Sequence, residues 1–271
     1  MRSSVRPRRS PAGARSADIA STTIAPLDPA RCLLLLLIAT DVVFVLLHVV
    51  YANTTLLPSM FALDRERGHA EVFQYIKFYW LVLMMAGLWW RTRAPVYLGW
   101  AVLFGFLLLD DALQLHERIG EIIAARWGYR ELLGLRGLDF GELTFTAAAG
   151  SLLLALVGIG YWYSDREARN ASKRVAALIA ALAFFGVAVD MLHQMAGTSW
   201  IGELLLVVED GGEMAVVSVA CAFAVSLLLH GDSRPARSWL AADSSDARRG
   251  SPGRRPAVAD TEHQDTPPAP P

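Results

Sequence analysis

The sequence predicts an all-α fold, a polytopic integral membrane bundle of six transmembrane helices with disordered polar termini. Hydrophobic residues make up 54% of the chain, and they are concentrated in runs of about 20 residues, the length that crosses a bilayer. The runs occupy residues 32–51, 72–90, 96–115, 143–163, 175–195 and 204–230. None of them has a polar stripe as wide as the exposed face of a soluble helix. The pattern therefore argues against a soluble helical protein.

Two of the first four runs end in aromatic clusters that mark helix ends. The first run contains two ionisable side chains within its apolar body, Asp41 and His48. The second run ends at the aromatic pair Trp89–Trp90, and the short basic link RTRAP separates it from the third. The fourth run ends in a second aromatic cluster, residues 161–163, before the basic link SDREARNASKR. Aromatic side chains collect at membrane interfaces, so both clusters predict helix ends at the inner interface.

The remaining elements are two long runs and one amphipathic segment. The sixth run is the longest, and Gly211–Gly212 predict a tilt or a break within it. Residues 117–133 lie between the third and fourth runs and place apolar side chains at helical spacing, with Arg and Glu opposite. Such a segment is typical of a helix that lies in the membrane interface, and we expect it on the outer surface.

The distribution of arginine predicts the topology and the domain organisation. Residues 1–31 contain six Arg, the tail after residue 230 contains six more, and the links after the second and fourth runs are also basic. Because basic residues collect on the cytoplasmic side, both termini are predicted to be cytoplasmic in the inner (plasma) membrane. The chain is divided into a disordered basic tail (1–30), a six-helix domain (31–230) and a disordered Pro/Arg/Ser-rich tail (231–271), since neither tail can bury a core.

Charged and polar residues converge on one end of the predicted bundle. With alternating helix directions, the polar side chains of all six helices fall in the outer half of the membrane. Charges inside a bilayer are costly and are usually functional. Pairs at i, i+3 or i, i+4 share a helix face, and these are Asp190 with His193, Glu209 with Glu213, and Asp111 with Gln114. The pairing favours Asp111 over Asp110 as the inward-facing carboxylate.

This pattern predicts a metal site first, because carboxylates and imidazoles on facing helices hold transition metals in helical bundles. Mixed nitrogen and oxygen ligands suit Zn, Mn or Fe. The predicted ligands are Asp111, Asp190, His193, Glu209, Glu213 and His48. A second tier of candidates contains Asp41, Asp110, Gln114, His116, Glu117 and Lys77.

Three functional hypotheses remain open from the sequence. The first is a membrane-embedded enzyme, a hydrolase or an oxidoreductase, that uses the metal. The second is a proton- or cation-coupled transporter or sensor, and the third is a structural membrane protein with buried polar packing. The predicted partners are the lipid bilayer and a small-molecule, lipid or cation substrate. No nucleic-acid partner is predicted. No G-x-S-x-G elbow, glycine-rich phosphate loop or histidine box is present, so no catalytic residue is assigned.

Overall fold

The computed structural model describes residues 28–131, 135–197 and 199–230, and in these residues the regular structure is helical, with no β-strand. The eight α-helices are α1 (Pro29–Asn53), α2 (His69–Thr92), α3 (Pro95–Leu113), α4 (Leu115–Trp127), α5 (Gly137–Trp162), α6 (Arg166–Ala183), α7 (Asp190–Ala196) and α8 (Trp200–His230). A π-helical segment, Phe184–Val189, joins α6 to α7. The predicted tails, 1–30 and 231–271, lie almost entirely outside the described residues.

The prediction of six long apolar helices is confirmed. Six segments are long and apolar enough to cross a membrane: α1, α2, α3, α5, the continuous segment Arg166–Ala196, and α8. The amphipathic segment also forms a helix as predicted, although α4 ends at Trp127, where Gly128 takes a left-handed conformation with φ of 67°. Glycine adopts that conformation without the steric cost that a Cβ brings.

Local capping explains where several helices begin. Asp28 accepts a hydrogen bond from the backbone N–H of Ala30 (3.1 Å), and Pro29 occupies the first helical position of α1. Asp165 accepts from the N–H of Ala168 (2.8 Å) at the start of α6. Such caps satisfy donors that have no partner within the helix. They stabilise the first turns of α1 and α6.

The core is built where α2, α3, α5 and α8 pack together, and its largest members come from α3. Tyr97, Trp100 and Phe104 are almost fully buried, and the indole Nε1 of Trp100 donates to Ser172 Oγ on α6 at 2.9 Å. The outward surface is apolar as well, since Leu35, Leu36 and many similar side chains are exposed. Exposed apolar surface of this kind is typical of contact with a membrane or with another protein.

Glycines allow α5 to approach its neighbours closely. A Cβ on Gly141 would overlap the carbonyl oxygen of Gly120 on α4, and a Cβ on Gly160 would lie 2.9 Å from Val96 Cα on α3. Small residues at helix crossings are the usual means of close packing in membrane bundles. The position of α4 against α5, and hence against the polar end of the bundle, depends on the Gly120–Gly141 contact.

We expect Gly141→Ala to destabilise the protein by about 1–3 kcal/mol, because the added methyl group overpacks a backbone contact. Gly150→Ala is the matched control, since a Cβ at this position of α5 has no described atom within 4 Å. The control should be neutral or slightly stabilising, because alanine is the better helix former. Thermal unfolding of both variants in detergent measures the difference, and equal melting temperatures would contradict the close approach.

The predicted break in the sixth helix is wrong, and the irregularity occurs in the fifth membrane-length segment instead. Helix α8 runs without interruption through Gly211 and Gly212. The space at Gly212 is taken by the ring of Phe185 from the π-helical segment, whose Cε1 would lie 2.5 Å from a Cβ there. The glycine therefore provides room for a neighbouring helix.

Candidate metal site and acidic cavity

Most of the polar groups singled out in the sequence lie toward one end of the bundle, where α1 and α3 end and α2 and α5 begin, and α8 contributes residues from its first half. At the opposite end, Arg91 donates to the carbonyl oxygens of Leu227 and Leu228 at the C-terminal end of α8 (3.1 and 2.6 Å). Arg169 similarly donates to the Ser164 carbonyl at 2.8 Å. The bundle is therefore acidic at one end and basic at the other.

The π-helical segment Phe184–Val189 positions one part of the acidic end. It precedes α7 directly, so its extra residue sets the rotation at which α7 presents Asp190 and His193 to α8. Such segments occur frequently at functional sites. Gly186 within it leaves space for the Glu213 carboxylate, which an added Cβ would overlap. The contact fixes the segment against α8 beside the acidic residues.

Asp190, His193 and Glu209 form a compact group that we call the α7–α8 triplet. Each residue offers one ligand atom, and the three atoms lie within 4.8 Å of one another. His193 Nδ1 is 3.0 Å from Glu209 Oε2, while Gln194 Nε2 donates to Asp190 Oδ1 at 3.4 Å. Bonds of about 2.0–2.2 Å to one ion place neighbouring ligands roughly 3.0–3.5 Å apart. The His193–Glu209 distance fits this spacing, whereas the triplet as a whole, with atoms up to 4.8 Å apart, would have to draw together around an ion.

A separate cavity of ≈ 220 Å³ lies at the same end, and we call it the acidic cavity. It is bounded by the starts of α2 and α4, the end of α3, the middle of α8 and the loop that precedes α2. Its charged and polar lining residues are Asp64, Arg65, Glu66, Glu71, Gln74, Asp111, Gln114, His116, Glu117, Asp210 and Glu213. Glu213 also interacts electrostatically with Glu209 and Asp190 of the triplet, so the two features adjoin.

The junction between α3 and α4 departs from the predicted geometry. Gln114 lies beyond the end of α3 in a left-handed conformation, with φ of 54°. The helical spacing that paired it with Asp111 is therefore wrong, yet both side chains line the acidic cavity. Asp110 turns to the start of α4, where its carboxylate accepts from the backbone N–H of His116 at 2.9 Å.

The ring of His116 lies beside the same carboxylate, with Nδ1 3.4 Å from Asp110 Oδ2. This contact raises the pKa of His116 to about 9. The shift results first from the hydrogen bond to Asp110, which outweighs desolvation of the ring. His116 is thus a cation at neutral pH, and it brings a positive charge to the lining of the acidic cavity.

We expect the His116–Asp110 pair to make stability fall as the pH rises. The folded-state pKa is above the ordinary value, so the contribution is complete below about pH 6.5 and is lost as the pH rises through about 9. Melting temperatures of wild type and Asp110→Asn across this interval test the expectation. The wild type should lose stability over the interval and the variant should lose less; parallel curves would contradict the pairing.

Lys77 and Asp41 form a buried ion pair deeper in the bundle. Lys77 Nζ, which is fully buried, lies 3.0 Å from Asp41 Oδ1 and 2.9 Å from the Met214 carbonyl oxygen. Ser218 Oγ donates to Asp41 Oδ2 at 2.5 Å. The group connects α1, α2 and α8, and its charges compensate each other. Asp41 and Lys77 are therefore not part of the metal-ligand group.

His48 is also separate from the triplet. Its ring is buried, and Nδ1 accepts the backbone N–H of Leu63 at 3.1 Å. Tyr51 lies beside the ring, with centroids 6.4 Å apart. This bond attaches the loop before α2 to α1 and supports one wall of the acidic cavity. The rings of Phe61 and His69, on either side of residues 62–68, contact each other in a tilted arrangement with centroids 4.9 Å apart.

The predicted site residues are therefore divided among distinct groups. The triplet contains Asp190, His193 and Glu209; the acidic cavity contains Asp111, Gln114, His116, Glu117 and Glu213; and the remainder, His48, Asp41, Asp110 and Lys77, make internal contacts. Sequence reasoning missed Ser218 and the cavity loop 63–66. Ser218 is a lone hydroxyl in an apolar run, and the loop has no periodicity that predicts its position.

These features define a helical protein with six membrane-length segments and, in its described residues, one carboxylate–histidine group suited to a metal ion. The chain belongs to the family described as "Domain of unknown function (DUF8692)", which matches residues 33–227. The match extends from α1 to α8 and includes both the triplet and the acidic cavity. No curated protein and no solved structure matches the chain.

Proposed function

We propose that the protein is a membrane-embedded metalloprotein in which the α7–α8 triplet binds one divalent transition metal. The observation that carries the proposal is the convergence of an imidazole and two carboxylates within 4.8 Å. These groups come from α7 and α8, which pack directly against each other. An ion would also compensate the excess negative charge of Asp190, Glu209 and the adjoining Glu213.

The chemistry of the site follows from its three protein ligands. Three ligands leave a coordination position for water or substrate, as catalytic metal sites do. A zinc ion at this position would lower the pKa of water and support hydrolysis. Iron or manganese would support oxidoreductase chemistry with the same mixed ligands. The identity of the bound metal therefore distinguishes the two classes of enzyme that we propose.

We also propose that the bundle lies in the plasma (inner) membrane with both termini cytoplasmic. The exposed apolar side chains support insertion, and the arginines of the basic end support its placement at the cytoplasmic face. A reporter fused after Pro271 and another inserted near Gly197 should then report opposite sides of the membrane. Finding both reporters on one side would contradict the orientation.

The metal proposal is tested by elemental analysis of the protein purified from cells grown with Zn, Mn and Fe. We expect about one equivalent of one metal in the wild type, as three ligands around a single ion imply. His193→Ala and Glu209→Gln should lose it. His69→Ala and Glu203→Gln are matched controls on exposed side chains, and both should retain the metal.

A wild type that contains no stoichiometric metal under any of these conditions would overturn the proposal. The proton-handling hypothesis makes a different prediction for the same proteins. It predicts a metal-free wild type whose melting temperature changes with pH beyond the contribution of the His116–Asp110 pair, and it predicts that Glu209→Gln abolishes this additional change. The two hypotheses are thus separated by one set of variants.

A further inference from the structure

The acidic cavity contains a buried side chain whose hydrogen-bonding groups are unused. Gln74 on α2 lines the cavity and is 6% exposed. Neither its Nε2 nor its Oε1 has a hydrogen-bond partner among the described residues. Leaving a buried polar group unpaired costs about 1–3 kcal/mol. A side chain that lines a cavity and has both amide functions unpaired indicates a ligand that carries a donor and an acceptor.

The charged side chains around Gln74 indicate the charge of the ligand. Of the described side chains that line the cavity, seven are carboxylates and two, Arg65 and His116, are basic. Lys77, one turn further along α2, adds no net charge because Asp41 is paired with it. Carboxylates crowded around one cavity favour a compensating cation. The ligand is therefore cationic.

The lining also distinguishes between kinds of cation. Quaternary ammonium groups are held by aromatic cages, and the described lining contains no Phe, Tyr or Trp. A primary ammonium group instead donates hydrogen bonds, which carboxylates and the Gln74 carbonyl accept. The volume of ≈ 220 Å³ equals roughly seven water molecules at about 30 Å³ each. That space suits a small organic molecule better than a bare ion.

We propose that the acidic cavity binds a primary ammonium compound that also carries an oxygen acceptor. The ammonium group lies among Glu71, Asp111 and Glu213, with Gln74 Oε1 accepting one of its protons. Gln74 Nε2 donates to the oxygen of the ligand. Ethanolamine has this chemistry both as a free molecule and as the headgroup of phosphatidylethanolamine. The inference does not rest on the metal site, because none of these residues belongs to the triplet.

The test is calorimetric titration of the full-length protein in nanodiscs of phosphatidylcholine, with ethanolamine, choline or Mg²⁺ as the probe. We expect ethanolamine to bind and choline and Mg²⁺ to bind at least about 10-fold more weakly, since they lack the donors or the acceptor. In nanodiscs that contain phosphatidylethanolamine, weaker apparent binding of free ethanolamine identifies the headgroup as the occupant. Unchanged binding identifies the free amine.

Variants connect the binding to the cavity. Gln74→Leu should weaken ethanolamine binding by about 10-fold or more, the effect of losing hydrogen bonds to a charged group. Asn53→Leu makes the same type of change at an exposed amide and should have no effect. Asp111→Asn is a second variant that keeps the shape of the side chain, and it should also weaken binding.

Two results would overturn the inference. One is the absence of ethanolamine binding to the wild type, or binding of choline or Mg²⁺ with equal affinity. The other is ethanolamine binding that neither Gln74→Leu nor Asp111→Asn weakens. Measuring metal content in the same variants separates a failure of this inference from a failure of the metal proposal. Gln74→Leu should retain the metal, and His193→Ala should retain ethanolamine binding while losing the metal.

Discussion

Replacement of Lys77 by methionine is expected to destabilise the bundle by about 3–5 kcal/mol, the usual cost of removing one partner of a buried ion pair. The side chain of Lys77 is fully buried and contacts Asp41, Ser218 and the Met214 carbonyl. Methionine leaves the Asp41 carboxylate buried with Ser218 as its remaining donor. The energetic penalty comes from this uncompensated charge, because methionine fills a similar volume.

Unfolding titrations in mixed micelles measure the effect. Lys173→Met is the matched control, since Lys173 is exposed, and it should change stability by less than about 0.5 kcal/mol. The double variant Asp41→Leu/Lys77→Met should recover most of the lost stability, as replacement of a whole buried pair often does. If Lys77→Met is as stable as the control, or if the double variant is less stable than Lys77→Met, then the charges of Lys77 and Asp41 do not stabilise each other.

Saturation of the α7–α8 triplet with its metal is expected to raise the free energy of unfolding by about 4 kcal/mol when free metal exceeds Kd by 1,000-fold. The gain is large because the ligands come together only in the folded chain, so the ion binds the folded state. His193→Ala should show almost none of this gain, since the imidazole is removed while the helices still insert and pack. Chelator should lower the wild-type stability to that of the metal-free protein.

The comparison is made by thermal unfolding with and without chelator for wild type, His193→Ala and His69→Ala. The wild type and His69→Ala should respond equally to chelator. If chelator has the same effect on all three proteins, the stabilising ion is bound elsewhere. If it affects none of them, metal binding and folding are not linked at the triplet.

The helices could be predicted from the sequence because their signals are local. Run length and apolar composition are sufficient for the six membrane-length segments, and the periodicity of residues 117–133 is sufficient for α4. The polar end was predicted from the alternation of helix directions. In the structure Asp111, His116 and Glu213 line one cavity and His193 contacts Glu209 beside it, while Asp41 and Lys77 lie deeper in the bundle.

The division of the polar residues into separate groups could not be predicted, because it depends on helix rotation. The π-helical segment Phe184–Val189 rotates the faces of α7 relative to those of α6. No residue type or spacing in the sequence FFGVAV predicts a π-helix. The left-handed Gln114 ends α3 at Leu113, two residues before the predicted end at residue 115, and Asp110 and Asp111 acquire different neighbours. Loop 63–66 is held at the cavity by the hydrogen bond from Leu63 to His48. The two residues are fifteen positions apart, and no periodicity in the sequence predicts that they meet.

The most direct test of the metal site is anomalous X-ray diffraction from crystals of the metal-loaded protein, recorded above and below the absorption edge of that metal. The proposed site predicts one anomalous peak within about 2.0–2.2 Å of a ligand atom from each of Asp190, His193 and Glu209. A peak elsewhere in the protein, or no peak in crystals of protein that contains the metal in stoichiometric amount, would contradict it.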